Sequence, residues 1–335
     1  MDRIGGLVTT VDTNHDAPTA EQAQQALLAL RGEIGKAVVG NDQAVLYLVL
    51  GLLCRGHVLL EGVPGVAKTL LVRALATALD LEHARIQFTP DLMPGDVTGS
   101  NIYDPHSAAF TFRRGPVFTN LLLADEINRT PPKTQSALLE SMEERQVSVD
   151  GVPQALPDPF IVIATQNPIE QEGTYPLPEA QLDRFLFKVD IQLPGRDDEF
   201  RILQRHAAGF DPRDLNAAGL RPVAGPAHLT AARQAIAQVA ISPEVLAYTV
   251  DLCRATRTSP AVAHGASTRG ATALMAASRA FAWLNGRGYV TPDDVKAVAV
   301  AVLRHRLHLR PEHEVEGVTA EGVMTSLLMS VPVPV

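Results

Sequence analysis

Apolar and polar positions recur with two different periods along this chain, and the switches between them mark out its elements. From Glu21 to Lys36 the apolar residues fall at Ala23, Ala26, Leu27, Leu30 and Ile34, which predicts an amphipathic helix. Val38-Val39-Gly40-Asn41 breaks that pattern, and Asp42 to Arg55 predicts a second helix. Five short apolar runs follow, near 58–61, 84–88, 121–124, 160–164 and 185–190, each suited to a buried strand. Helical spacing lies between them over Leu70–Leu79 and over Pro132–Arg145, the latter with Ala137, Leu138, Leu139 and Met142 facing in. Strands alternating with helices predict an α/β fold with a five-stranded parallel sheet. Two stretches interrupt the alternation. Residues 109–117 alternate and end in Arg-Gly-Pro, and residues 146–152 turn at Asp150-Gly151, so each predicts a small inserted hairpin.

Pro194-Gly195-Arg196 reads as a linker, and helical periodicity dominates after it, over 197–208, 229–238, 242–256, 268–285 and 292–303. The chain therefore divides into a leader over 1–20, expected to be flexible, an α/β core over 21–194, and a smaller all-α domain over 195–335. Asp211–Pro226, rich in Ala, Pro and Gly, reads as an exposed connector.

The first strand runs straight into Gly62-Val63-Pro64-Gly65-Val66-Ala67-Lys68-Thr69, and a helix follows. Strand, glycine loop, Lys-Thr, helix is the layout of a nucleotide-phosphate loop. Its glycines let backbone N–H groups converge on phosphate oxygens, and the helix N-terminus adds partial positive charge. Lys68 would reach the β- and γ-phosphates and the Thr69 hydroxyl would ligate Mg²⁺, with Val63, Pro64, Gly65, Val66, Ala67 and Leu70 completing the wrap. Ala67 stands where the general pattern has glycine.

The third apolar run ends in Ala124-Asp125-Glu126. Acids at the carboxyl end of a buried strand sit where α/β sheets place their ligands. Asp125 would hold Mg²⁺, directly or through water, and Glu126 would polarise an attacking water. Asn167, closing the fourth run, could hold that water or simply turn the chain before Pro168. Val38, Val39 and Gly40 could border a nucleotide base or simply connect two helices. Ser267 or Thr268 caps a helix and puts Arg269 in its first turn, where a solvated surface charge is the plainer reading.

A formal net charge of −8 argues against a protein that coats nucleic acid, although Arg113-Arg114 on the first hairpin could serve a nucleic-acid motor. The two cysteines, Cys54 and Cys253, lie in apolar helical segments and read as packed thiols; the ten histidines lack ligand spacing. Ala44–Cys54 is too short for a membrane span, and the first residues carry no basic-then-apolar signal, so the expected location is cytoplasmic.

In order, the phosphate loop, Leu122-Leu-Ala-Asp-Glu126, strand-end Asn167, Leu182-Asp-Arg-Phe185, a helical domain and Ser267-Thr-Arg269 resemble the AAA+ ATPases. The local matches point to the MoxR group of the clade with an insert in its second helix. They include Gln87-Phe-Thr-Pro-Asp-Leu-Met-Pro-Gly-Asp-Val-Thr-Gly99, Phe112-Arg-Arg-Gly-Pro-Val-Phe118, Lys133-Thr-Gln-Ser-Ala-Leu-Leu-Glu140 and Ala164-Thr-Gln-Asn-Pro168. Ala67 is usual in that group. The resemblance implies ATP with Mg²⁺, an adenine bordered by Val38, Val39 and Gly40, Asn167 as sensor 1 and Arg269 as sensor 2 on the lid. It implies that Arg184 is an arginine finger acting on a neighbour's ATP, hence a ring homo-oligomer, expected as a hexamer. Arg129 and Arg145 are further candidates for that boundary. It also implies a chaperone-like role in assembly, activation or metal-cofactor insertion of a client protein, with a partner bearing a von Willebrand type A domain. A Mg-chelatase-like motor subunit would share the same machinery.

Overall fold

A computed structural model describes residues 17–106, 108–149, 151–167 and 173–334. Most of the expected leader, the hairpin-turn residue Asp150 and Pro168 lie outside the described residues.

Two helices, α1 (Ala20–Ile34) and α2 (Asp42–Leu53), precede β1 (His57–Glu61), the phosphate loop and α3 (Lys68–Ala78). β2 (His83–Gln87), α4 (Pro94–Thr98), the hairpin β3 (Gly99–Asp104) and β4 (Ala109–Arg114), and β5 (Leu121–Asp125) follow. Then come α5 (Pro132–Glu144), the hairpin β6 (Gln146–Val149) and β7 (Val152–Ala155), β8 (Ile161–Gln166), α6 (Glu179–Leu182) and β9 (Phe185–Asp190). The sheet has the order β2-β5-β8-β1-β9 with every neighbouring pair parallel. These strands overlap the five apolar runs to within a residue or two, and both inserted hairpins form as antiparallel pairs.

Alternation within each strand builds a core on both faces of the sheet. Val58, Leu60, Leu121, Leu123, Ile161 and Ile163 point to one side, where α1 to α3 pack. Leu59, Leu122, Ala124, Val162 and Ala164 point to the other, against α5. Register decides what lies at the edge. Glu61 pairs with Gln166 and with Asp190, and Gln87 pairs with Asp125, so the carboxyl ends of all five strands present polar groups along one rim.

The second part holds α7 (Arg196–Ala207), α8 (Pro226–Ala237), α9 (Pro243–Thr258), β10 (Val262–His264), α10 (Thr268–Leu284), α11 (Pro292–Leu303), β11 (His308–Leu309), α12 (Pro311–Val315) and α13 (Ala320–Ser330). Two features differ from the periodicity. A two-stranded antiparallel ladder joins β10 to β11 within the helical part. The Asp211–Pro226 segment is not an exposed connector: Leu215, Leu220 and Ala224 are buried, and Val223 and Ala224 N–H groups donate to the Ala78 carbonyl at the end of α3. Its few apolar residues carry the packing, which composition alone hides. The apolar cluster above α1 and α2 continues without a break into Leu252, Leu274, Val298 and Val302. Both cysteines are free, and burial pushes their thiols up, Cys54 to about 12 and Cys253 to about 11.

Candidate nucleotide site

The phosphate loop leaves β1 at the polar rim and turns into α3 through two left-handed residues, Gly65 (φ 87°) and Ala67 (φ 60°). Gly62 is fixed by close approach: a Cβ there would meet the Ile191 carbonyl oxygen at 2.6 Å. Five other helices, α1, α9, α10, α11 and α13, have a Ser or Thr side chain accepting from their first turn. No side chain caps α3, and its first turn holds no acid. Its N-terminal amides are thus free of the usual side-chain acceptor, which suits an anionic ligand. Lys68 Nζ donates to the Gly62 carbonyl at 2.6 Å. Burial pushes the Lys68 ammonium below its ordinary value, against the pull of Asp125, Glu126 and Glu61.

Beside the loop is a pocket of about 200 Å³. Val38, Val39, Gly65, Val66, Ala67 and Leu70 line it, with Ile202, His206 and Phe210 closing it from α7 and beyond. Val63, Pro64 and Gly40 do not line it; Gly40 turns the chain (φ 81°) against the Asp198 carboxylate of α7. Arg205 ties α7 down by donating to the Gly35 and Lys36 carbonyls at 2.9 Å each. Sequence reasoning missed this contribution of α7, since its apolar residues are few.

Strand β5 delivers the two acids. Asp125 Oδ1 accepts from Thr165 Oγ1 at 2.6 Å, and Oδ2 accepts from Arg85 Nη2 at 2.7 Å. The fully buried Thr165 accepts in turn from the Glu126 N–H at 2.9 Å. Glu126 itself is left-handed (φ 57°, ψ 50°), a costly conformation that this bond helps to hold. Its Oε2 accepts from Gln87 Nε2 at 2.6 Å and lies 3.3 Å from Arg129 Nε. Asn167 is buried just past the end of β8, between β5 and β1. Sequence reasoning missed Arg85, Gln87 and Thr165 as partners of the acids: Arg85 and Gln87 share one face of β2, but only the register, with Gln87 opposite Asp125, brings them to the site.

Arg184 and Arg269 are elsewhere. Arg184 precedes β9, whose first residue, Phe185, pairs with His57 at the start of β1. The phosphate loop begins beyond the other end of that strand, about 13 Å of extended chain away. Arg184 Nη1 lies 2.7 Å from Glu143 Oε2 and donates to the Leu139 carbonyl at 2.7 Å. Arg269 Nη2 donates to Glu143 Oε1 at 3.0 Å. Of the residues assigned from sequence, Lys68, Thr69, Asp125, Glu126 and Asn167 gather at the polar rim, and the two arginines gather at the opposite one.

A family model described as the ATPase family associated with various cellular activities matches residues 57–187, and an AAA lid domain model matches residues 254–327. The chain is 46% identical over 302 residues to the Bacillus subtilis protein YeaC, covering 90% of this chain and 93% of that one. It is 43% identical over 311 residues to the chaperone MoxR1 of Mycobacterium tuberculosis, covering 90% and 81%. A crystal structure of a Cytophaga hutchinsonii protein described as a putative ATPase superposes with a TM-score of 0.86 at 40% identity, covering 94% and 97%. A phosphate loop, two strand-end acids and a helical lid in one continuous fold, shared at this identity over nearly the whole length, make this chain an ATP-hydrolysing member of the MoxR family of AAA+ ATPases.

Proposed function

We propose that this ATPase is a Mg²⁺-dependent, ring-forming chaperone, in which each ATP is bound by one subunit and hydrolysed with arginines from the next. The observation that carries the reading is the position of Arg184 at the rim opposite its own phosphate loop. An arginine that cannot reach its own γ-phosphate can serve a neighbour's when subunits pack rim to rim. AAA+ ATPases oligomerise, and a closed ring, here a hexamer, puts every site at such a boundary.

Within one subunit, Lys68 offsets phosphate charge and the uncapped α3 N-terminus takes the oxygens. Val38 and Val39 flank the adenine. Thr69 and Asp125 would hold Mg²⁺, which would supply positive charge against the phosphates. Among the described residues no group of three or more His, Cys, Asp or Glu could hold a metal. Glu126 acts as general base toward water positioned by Asn167, and Arg184 with Arg269 of the neighbour meets charge on the transferring phosphoryl group.

The relative named a chaperone supports work on a client protein, and a partner bearing a von Willebrand type A domain is part of this reading. Among the described residues no helix is long and apolar enough to cross a membrane. We assign the protein to the cytoplasm, where the two free thiols stay reduced.

The test is complementation. Arg184→Ala and Lys68→Ala proteins, each inactive alone, should recover part of the ATPase when mixed, because some boundaries then join an intact loop to an intact finger. No recovery in assemblies shown by native mass spectrometry to be mixed overturns the reading.

A further inference from the structure

Glu143 lies in the last turn of α5 and takes one arginine on each carboxylate oxygen: Arg184 Nη1 at 2.7 Å from Oε2, and Arg269 Nη2 at 3.0 Å from Oε1. The two arginines come from different parts of the chain, Arg184 from the α/β core and Arg269 from the first turn of α10 in the lid. We propose that Glu143 is a positioning residue for hydrolysis, which holds both guanidiniums as one unit for presentation to the neighbouring subunit's phosphates. The inference rests on the reading of Arg184 as acting across the subunit boundary.

Three observations carry it. First, the partners are partly exposed, with side-chain exposures of 40% for Glu143, 30% for Arg184 and 52% for Arg269. Ion pairs so wetted add little to fold stability, so what the arrangement secures is orientation. Second, the carboxylate is two-sided. Arg184 has a second anchor in the Leu139 carbonyl, and Arg269 a weaker one in Asp183, 3.9 Å away. Asp183 is already taken by Arg306 Nε at 2.6 Å, so Glu143 is the main partner that Arg269 has in the core. Third, α5 reaches back to the subunit's own acids. Gln135 Nε2, in its first turns, donates to the Ile127 carbonyl at 3.1 Å, one residue from Glu126. A rod of eleven residues, about 16 Å, then separates Pro132 from Glu143. The helix that is anchored beside one ATP site ends on the arginines offered to the next.

Glu143→Ala and Glu143→Gln are measured for ATPase turnover, for binding of a fluorescent ATP analogue, and for Tm. Turnover should fall about tenfold or more in the Ala variant, the cost of loosening oriented groups. Analogue affinity should stay within about twofold, and Tm within about 3 °C, as expected for a wet ion pair. The Gln variant, which keeps an acceptor but not the charge, should fall between. In mixed assemblies Glu143→Ala subunits have intact sites, so Glu126→Gln neighbours, which supply intact arginines, should restore their turnover. Unchanged or raised turnover in both variants overturns the proposal. So does a loss that mixing fails to repair while the parallel mixture of Arg184→Ala with Glu126→Gln is repaired. If that parallel mixture also fails, the trans reading falls and takes the proposal with it.

Discussion

Gln87, the last residue of β2, donates through Nε2 to Oε2 of Glu126 at 2.6 Å, so this strand-end acid is held by an amide from the adjacent strand. An amide partner is tolerant: it can donate to a carboxylate or, flipped, pair with another amide. Glu126→Gln should therefore fold and bind ATP like the parent while turnover drops about 10²–10⁴-fold. Retained turnover in a single-turnover assay would remove Glu126 from the role of base.

Ala67 sits at φ 60°, ψ 25°, a conformation that costs a non-glycine residue about 1–2 kcal/mol. Ala67→Gly relieves that strain and returns part of the gain as extra freedom in the unfolded chain. The net expectation is about 1 kcal/mol more stability with ATP affinity within about twofold, read by urea titration and nucleotide binding. Ala67→Val should go the other way, because a β-branched residue is far worse there. A destabilised glycine variant would mean that the loop conformation is not the one described.

His57 is buried, with Nδ1 accepting from the Val162 N–H at 2.9 Å and Nε2 3.1 Å from the Met142 carbonyl, which it serves as donor. Burial pushes its pKa down to about 4, and that of His305 well below the usual value. A depressed histidine is neutral when folded while its unfolded form takes a proton below about 6.5, so stability is present above that pH and drains as pH falls toward 4. His57 alone should cost about 2 kcal/mol between pH 7.5 and pH 5. That share of the slope should vanish in His57→Gln, whose amide can still donate to Met142 and accept from Val162. An unaltered slope in that variant would count against the assignment.

Arg304, which follows α11, clamps Asp190 with contacts of 2.5 and 2.6 Å and stands 3.9 Å from Glu61, the residue before the phosphate loop. Its side chain is only 14% exposed. Removing it leaves two acids at the rim with Lys188 as remaining counter-charge, 2.9 Å from Glu61. Arg304→Ala should lose about 2–3 kcal/mol, more than a surface pair gives, and Arg304→Lys should recover only part, because a single ammonium can replace the Nη2 that meets Asp190 but not also the Nη1 that lies 3.6 Å from Glu321. Differential scanning calorimetry would show it; equal Tm values for all three proteins would refute the clamp.

Much of this was legible in the chain. The continuous apolar runs near 121–124 and 160–164 announced strands buried on both faces, and Lys68-Thr69 and Asp125-Glu126 sat at strand ends where ligands belong. The partners of those residues were harder to see. Thr165 and Gln87 look like ordinary strand residues until register puts one under Asp125 and the other beside it. The buried Leu220 was hidden because its neighbours are small or polar, and burial depends on what packs above a segment.

By itself the sequence determined the elements, the order of the chemistry along them and the identity of the phosphate loop, because hydrophobic period and local motif act over a few residues. Tertiary structure alone decided that Arg184 and Arg269, 85 positions apart in the chain, share Glu143 at the rim opposite Lys68. That outcome depends on strand register and on how the lid packs against α5. Both are settled by contacts between segments far apart in the chain, which no local pattern encodes.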